Sequence, residues 1–234
     1  PYGAWLEHVV DLDAKLKGSE PRLFAEREEK LPEGAKLFRS RLTRDEQLAI
    51  LDDIARILDE APPFRPQMPT GPTMINSLSN CGPLGWLSDR RGYRYEPTHP
   101  VTQRPWPPIP PAVLACAWAA AADTGYEFEP DACLVNLYAS TGKLSLHRDY
   151  DEANFAWPIV SLSFGNDADF QLAGLTRTGP SQTFTLHSGD VFVLAGESRL
   201  RYHGVKRIRP GTSPIAHKAL PEGGRINLTL RRAR

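Results

Sequence analysis

Short strand-forming runs follow one another from Ala132 to the end of this chain, and that rhythm restricts the fold more than any other feature. ACLVNLY, PIVSLSF, DFQLAG, QTFTLH, DVFVLAG and RINLTLR are rich in β-branched and aromatic residues and are parted by Gly, Pro, Asn and Asp. Each strand of such a series has a face to bury. With two helical segments ahead of it, the series predicts a mainly β fold with α: a double-sheet jelly roll buttressed by helices on one face.

The first of those helices is marked by Thr43 and Glu46, which have the spacing of a capping box. Leu48, Leu51, Ile54 and Leu58 then recur at helical intervals until Pro62-Pro63 ends the segment. The second starts after Pro110-Pro111 and runs through Val113, Leu114, Ala117, Trp118 and Ala121 to a stop near Gly125. Between them, Phe64 to Pro111 is rich in Pro, Gly, Asn and aromatic residues, which suits ordered loops and short strands over a binding surface. Residues 1–35 are charged and read as a helical or loosely attached extension.

At 234 residues, with 41% hydrophobic and 24% charged residues, the chain has the composition of a soluble globular protein with one sizeable core. No apolar run approaches the roughly 18 residues that span a bilayer. The N-terminal residues lack the basic-then-apolar pattern of a secretory signal, and the first residue is not methionine. The three cysteines Cys81, Cys116 and Cys133 have no CxxC spacing, which argues for a reducing cytoplasm over a disulfide framework or zinc site. Formal net charge is zero, yet residues 199–234 carry ten Lys/Arg against one acid, Glu222. The first 60 residues, by contrast, have ten basic and fourteen acidic side chains. That asymmetry predicts a phosphate-facing surface in the C-terminal part.

Two imidazoles and one carboxylate can occupy one face of an iron(II) ion and leave the other face open. Residues i and i+2 of a strand share a side, so His147 and Asp149 of His147-Arg148-Asp149 are expected to grip one metal. His203, in Tyr202-His203-Gly204, is the preferred third ligand over His187, just before the turn Ser188-Gly189-Asp190, and His217 in a proline-bounded loop. In the last strand Arg225, Asn227, Thr229 and Arg231 fall on one face while Ile226, Leu228 and Leu230 fall on the other. Two guanidinium groups on one face suit the two carboxylates of a small dicarboxylic acid. Asn136 and Tyr138, two apart on their own strand, are candidates to join them.

These motifs together resemble the AlkB family of Fe(II)/2-oxoglutarate-dependent dioxygenases. The likeness runs through Asn136-Leu137-Tyr138, Leu144-Ser145-Leu-His147-Arg-Asp149-Tyr-Asp151-Glu152, Gly196-Glu-Ser-Arg199 with Tyr202-His203-Gly204, and Arg225-Ile-Asn227-Leu-Thr-Leu-Arg231. Upstream, Asn80-Cys-Gly-Pro-Leu-Gly-Trp86 with Gly92-Tyr93 resembles the nucleotide-recognition region of the bacterial members. The resemblance spans roughly Leu37 to Arg231. It implies a double-stranded β-helix with an N-terminal nucleotide-recognition lid: residues 1–36 as extension, then one domain over 37–234, with helices and lid in 37–131 and the catalytic core in 132–234. It also implies Fe(II) held by His147, Asp149 and His203, with 2-oxoglutarate and O2 as co-substrates. The 2-oxoglutarate contacts would be Asn136, Leu137, Tyr138, Arg225, Asn227 and Arg231, with Arg225 at the distal carboxylate.

The reaction implied is oxidative demethylation of 1-methyladenine and 3-methylcytosine in single-stranded or unpaired DNA, releasing formaldehyde, succinate and CO2. A base must leave its stack to reach a buried metal, so an aromatic wall is expected. Trp86 matches that wall, with Ser145 and Arg177 near the substrate and Tyr93 and Tyr95 as lid or backbone contacts. Arg90, Arg91 and Arg94 are beside them for phosphates, and Asp151 would favour positively charged methylated bases. Arg148 and Tyr150 depart from several relatives. An RNA demethylase or a protein hydroxylase with the same centre, and a silent jelly-roll binding module, are the competing readings. The chain is expected to act as a monomer.

Overall fold

The computed structural model describes residues 29–234 of the chain. The extension expected at the N-terminus falls mostly on residues 1–28, outside the described residues. Leu31–Arg234 form one compact unit. Its first strand, β1 (Ala35–Phe38), pairs with β10 (Val191–Leu194), so the boundary expected at residue 36 falls inside a strand of the main sheet.

Helix α1 (Arg44–Glu60) begins at the expected capping box: the Thr43 side chain accepts from the Glu46 amide, and the Glu46 carboxylate reaches back to the Thr43 amide. Its buried face carries Ile50, Leu51, Ile54 and Ile57, each contributing about 1.5–3 kcal/mol by leaving water. Helix α2 (Pro111–Ala122) starts on a proline that fills the first helical position, where no amide donor is needed. Strands β2 (Ser77–Cys81), β3 (Gly85–Asp89) and β4 (Gly92–Glu96) lie between the helices. After α2 come β5 (Ala132–Tyr138), β6 (Leu144–His147), β7 (Ile159–Gly165), β8 (Asp167–Ala173) and β9 (Ser181–Leu186), then β10, β11 (His203–Arg209) and β12 (Arg225–Arg231).

A six-stranded sheet has the order β1-β10-β7-β12-β5-β2 and a four-stranded one the order β6-β11-β8-β9; β3 and β4 form a separate hairpin. Alternation along the strands sorts two hydrophobic layers. Val191 and Val193, Val160 and Leu162, and Ile226, Leu228 and Leu230 pack with α1 and α2 on one face of the large sheet. Phe192, Leu194, Ile159 and Tyr138 point the other way and meet Phe170, Leu172, Phe184 and Val205 of the small sheet. That is the expected jelly roll with helices on one side. β12 lies between β7 and β5, so its polar face looks into the space between the sheets and not to solvent.

Candidate active site

A cavity of about 500 Å³ opens between the two sheets, and the polar face of β12 lines it. His147 ends β6 and His203 begins β11; the strands pair antiparallel with these two residues directly opposite each other. Gly204 makes that approach possible, since a Cβ there would stand 2.5 Å from the Leu144 carbonyl oxygen. The rings lie 4.5 Å apart, centroid to centroid. Each Nδ1 sits 3.0 Å from a backbone carbonyl, Ser145 for His147 and Arg201 for His203. Donating Nδ1–H there leaves both Nε2 lone pairs facing the cavity.

Asp149 completes the triangle. Its oxygens stand 3.7 Å from His147 Nε2 and 3.8 Å from His203 Nε2, too far for hydrogen bonds. One ligand atom from each residue lies within 4.8 Å of the others, close enough to converge on one ion after small side-chain movements. Burial and the neighbouring His147 pull His203 down to about 4, which keeps its imidazole neutral and able to ligate. Burial alone would push Asp149 up, but Arg231 and both imidazoles outweigh it and hold the carboxyl below the usual carboxylate range. Asp149 Oδ2 lies 2.8 Å from Arg231 Nη2 yet accepts no hydrogen bond, so the contact is ionic and off the N–H direction. A buried carboxylate oxygen left in this state fits a cation.

Strand alternation does not deliver Asp149, because β6 stops at His147. A buried ionic frame holds the loop instead. Arg199 donates to the Asp149 carbonyl at 2.8 Å, to the Trp157 carbonyl at 2.9 Å and to Glu152 at 3.0 Å. Glu152 also accepts from the Tyr95 hydroxyl at 2.6 Å and lies 3.4 Å from Arg231. Arg199 and Glu152 stand inside the family-like motifs, but spacing assigned them no role, because their partners are distant in the chain.

Arg225 sits deep in the cavity, 2% exposed. Its guanidinium donates to Ser163 Oγ at 2.7 Å and to the Asn166 and Leu186 carbonyls at 3.2 Å each. All three partners are neutral, and Nε has none. Burial pulls the group down to about 10, so it remains a cation at neutral pH. Asn136 and Asn227 are opposite each other across β5–β12, as are Tyr138 and Arg225, and all four line the cavity. Leu137 faces away: on the alternate side of β5, it packs against the core beneath the helices.

The β3–β4 hairpin stands over the cavity. Trp86 stacks on Tyr93 at 5.5 Å with 18° between planes, and its Nε1–H donates to Asp151 Oδ2 at 2.9 Å. Burial raises Asp151, with the indole bond working against it. Trp86, Tyr93, Ser145, Asp151 and the exposed Arg177 all line the cavity. Tyr95 does not. It is buried, with its hydroxyl in the Glu152–Arg231 frame, so it is a support and not a lid contact. Arg91 and Arg94 pair with Asp89, and Arg94 also with Glu96, which removes them as simple phosphate ligands. The basic C-terminal part is likewise largely committed: Arg199, Arg225 and Arg231 are buried, and Arg207 and Arg209 pair with Asp169. Of the competing histidines, His187 faces Asp167 at 2.9 Å and His217 faces Asp52 at 3.1 Å.

Residues 34–231 match the family model of the 2OG-Fe(II) oxygenase superfamily. An alpha-ketoglutarate-dependent dioxygenase AlkB homolog of Caulobacter vibrioides is 45% identical over 188 residues, covering 80% of this chain and 82% of the relative. The alpha-ketoglutarate-dependent dioxygenase AlkB of Escherichia coli is 41% identical over 215 residues, covering 90% and 97%. Among solved structures, OsALKBH1 superposes with a TM-score of 0.74 at 28% identity, covering 87% of this chain and all of that one. The chain therefore belongs to the AlkB family within the 2OG-Fe(II) oxygenase superfamily, and is a dioxygenase that uses Fe(II), 2-oxoglutarate and O2.

Proposed function

We propose that this protein removes methyl groups oxidatively from alkylated nucleobases, 1-methyladenine and 3-methylcytosine, in single-stranded or unpaired DNA. One observation carries the reading. The Trp86 indole, hydrogen-bonded to the Asp151 carboxylate, lines the same cavity as His147, Asp149 and His203. A flat aromatic wall beside a carboxylate suits a planar base made cationic by methylation, and stacking of this kind is worth about 1–3 kcal/mol. The names of the AlkB relatives support the same class of chemistry.

In this reading His147, Asp149 and His203 hold the iron, and the backbone carbonyls of Ser145 and Arg201 keep the imidazoles in the ligating tautomer. Arg225 would receive the distal carboxylate of 2-oxoglutarate, with Tyr138, Asn136 and Asn227 lining the same cavity, and Arg231, 2.8 Å from Asp149, would serve the other carboxylate. When bound, iron with 2-oxoglutarate and O2 would supply the oxidation of an N-methyl group to an unstable N-hydroxymethyl one, with succinate and CO2 released and formaldehyde lost afterwards. Trp86 and Tyr93 stack and orient the base, Asp151 selects its charge, and Ser145 and Arg177 bound the mouth. The segment 37–131 acts as helical support and nucleotide-recognition lid to the core at 132–234. The protein works as a cytoplasmic monomer.

Mass spectrometry tests this with methylated oligonucleotides, DNA and RNA, incubated with Fe(II) and 2-oxoglutarate. Loss of one methylene mass from DNA is expected. Loss from RNA alone would move the function to RNA, and loss from neither would refute nucleobase demethylation.

A further inference from the structure

We propose that Arg148 is a phosphate-binding residue at the rim of the cavity, gripping a phosphodiester beside the flipped nucleotide. The inference rests on the nucleic-acid reading above and adds a contact to it. Arg148 follows one histidine of the metal cluster and Tyr202 precedes the other. The antiparallel pairing of His147 with His203 therefore brings Arg148 beside Tyr202. Its guanidinium carbon lies 5.6 Å from the centre of that ring and 5.0 Å from the centre of the Tyr150 ring.

Two cation–π contacts hold the group in place without neutralising it, since a ring carries no net charge. Arg148 makes no ion pair with any described residue, unlike Arg91, Arg94, Arg199, Arg207, Arg209 and Arg231. It is exposed, and Tyr150 is 52% exposed, so the platform faces solvent. Arg148, Tyr150, Tyr202 and Arg177 line the same cavity as the metal cluster. A guanidinium fixed by its ring contacts keeps in-plane N–H donors for a bidentate acceptor, and on a nucleic acid the acceptor outside the base pocket is phosphate. Aromatic rings that order the arginine beforehand reduce the entropy lost on binding. The basic C-terminal region is mostly consumed internally, with Arg199, Arg225 and Arg231 buried and Arg207 and Arg209 paired to Asp169, so the rim around Arg148 is placed to carry phosphate attraction.

The test compares wild-type protein with Arg148→Ala and Arg148→Lys on two substrates, a methylated single-stranded oligonucleotide and the free methylated nucleoside. For the oligonucleotide, affinity is measured between 50 and 200 mM salt. One phosphate contact to a single strand adds about 0.7 to the salt slope, so wild type should lose about 2.6-fold more affinity than Arg148→Ala over that range. Arg148→Lys should recover the slope but not all of the affinity, because a point charge replaces the fork. Nucleoside turnover should be the same in all three proteins. An unchanged slope in Arg148→Ala overturns the proposal, as does an equal loss on the nucleoside, which would put Arg148 in the base pocket or the metal site. If wild type turned over neither substrate, the demethylase reading itself would fall, and this inference with it.

Discussion

Replacing Arg225 with methionine isolates the co-substrate pocket. A guanidinium has five N–H donors, and the structure uses three of them, on Ser163 Oγ and the Asn166 and Leu186 carbonyls. Two remain, with Nε lacking any partner, and two is the number a bidentate carboxylate accepts. Hydrogen bonds to a charged group are worth about 1.5–3 kcal/mol each, and stripping the partner from a buried charge pair costs about 3–5 kcal/mol. At about 1.4 kcal/mol per decade, 2-oxoglutarate should bind Arg225→Met on the order of a hundredfold to a few thousandfold more weakly. The fold should survive. Methionine fills the volume and removes a charge whose burial is itself unfavourable, while the two abandoned carbonyls cost about 1–3 kcal/mol. Calorimetric titration of 2-oxoglutarate into Mn(II)-loaded protein measures the affinity without turnover. Pyruvate, which lacks the distal carboxylate, should bind both proteins alike and so closes the cycle. If Arg225→Met kept its fold and its Mn(II) affinity yet bound 2-oxoglutarate within threefold of wild type, Arg225 would not be the carboxylate partner.

Three further outcomes are expected. His147→Ala should weaken Co(II) binding by at least a hundredfold, read from the visible absorption of the metal, with the urea midpoint little changed because His147 is only partly buried. Glu152→Gln leaves Arg199 and Arg231 without their shared buried carboxylate and should cost about 3–5 kcal/mol in urea denaturation; a loss below 1 kcal/mol would show that the frame is not structural. In the metal-free protein His203 titrates near 4, below the 6.5 of an unfolded histidine, so the unfolded state binds the extra proton between these values and stability falls as pH drops through that window. From pH 6.5 to 5 the loss is about 2 kcal/mol, and His203→Asn should lack that part of the pH dependence.

Much of the fold was legible because it rests on local rules. The capping box at Thr43 started α1 where it stands, and alternation in RINLTLR separated Arg225 and Arg231 from the core-facing leucines. β11 went unread, since a run beginning His-Gly and carrying Lys206, Arg207 and Arg209 lacks an apolar face along most of its length. The place of Tyr95 is hidden from the sequence for another reason. Hairpin alternation gives it the same face as Tyr93, and only packing shows one hydroxyl entering a buried ionic frame while its neighbour stacks on Trp86. Leu137 was carried along by a motif whose alternate residues point to opposite layers.

The chain alone therefore determined its elements, its two-faced strands and the residue types that can bind iron and a dicarboxylate. Tertiary structure decided which of them meet. Asp149 lies beyond its strand and owes its position to Arg199, which holds its carbonyl, and Arg231, which faces its carboxylate; both are distant in sequence, and Glu152 bridges them. The fold also sorted the arginines. Charge counting treats Arg148, Arg199 and Arg225 alike, but one ends on two tyrosine rings at the cavity rim, one on a buried glutamate and one among neutral oxygens. A guanidinium's function follows from whether its charge is already answered, and only the packed structure answers it.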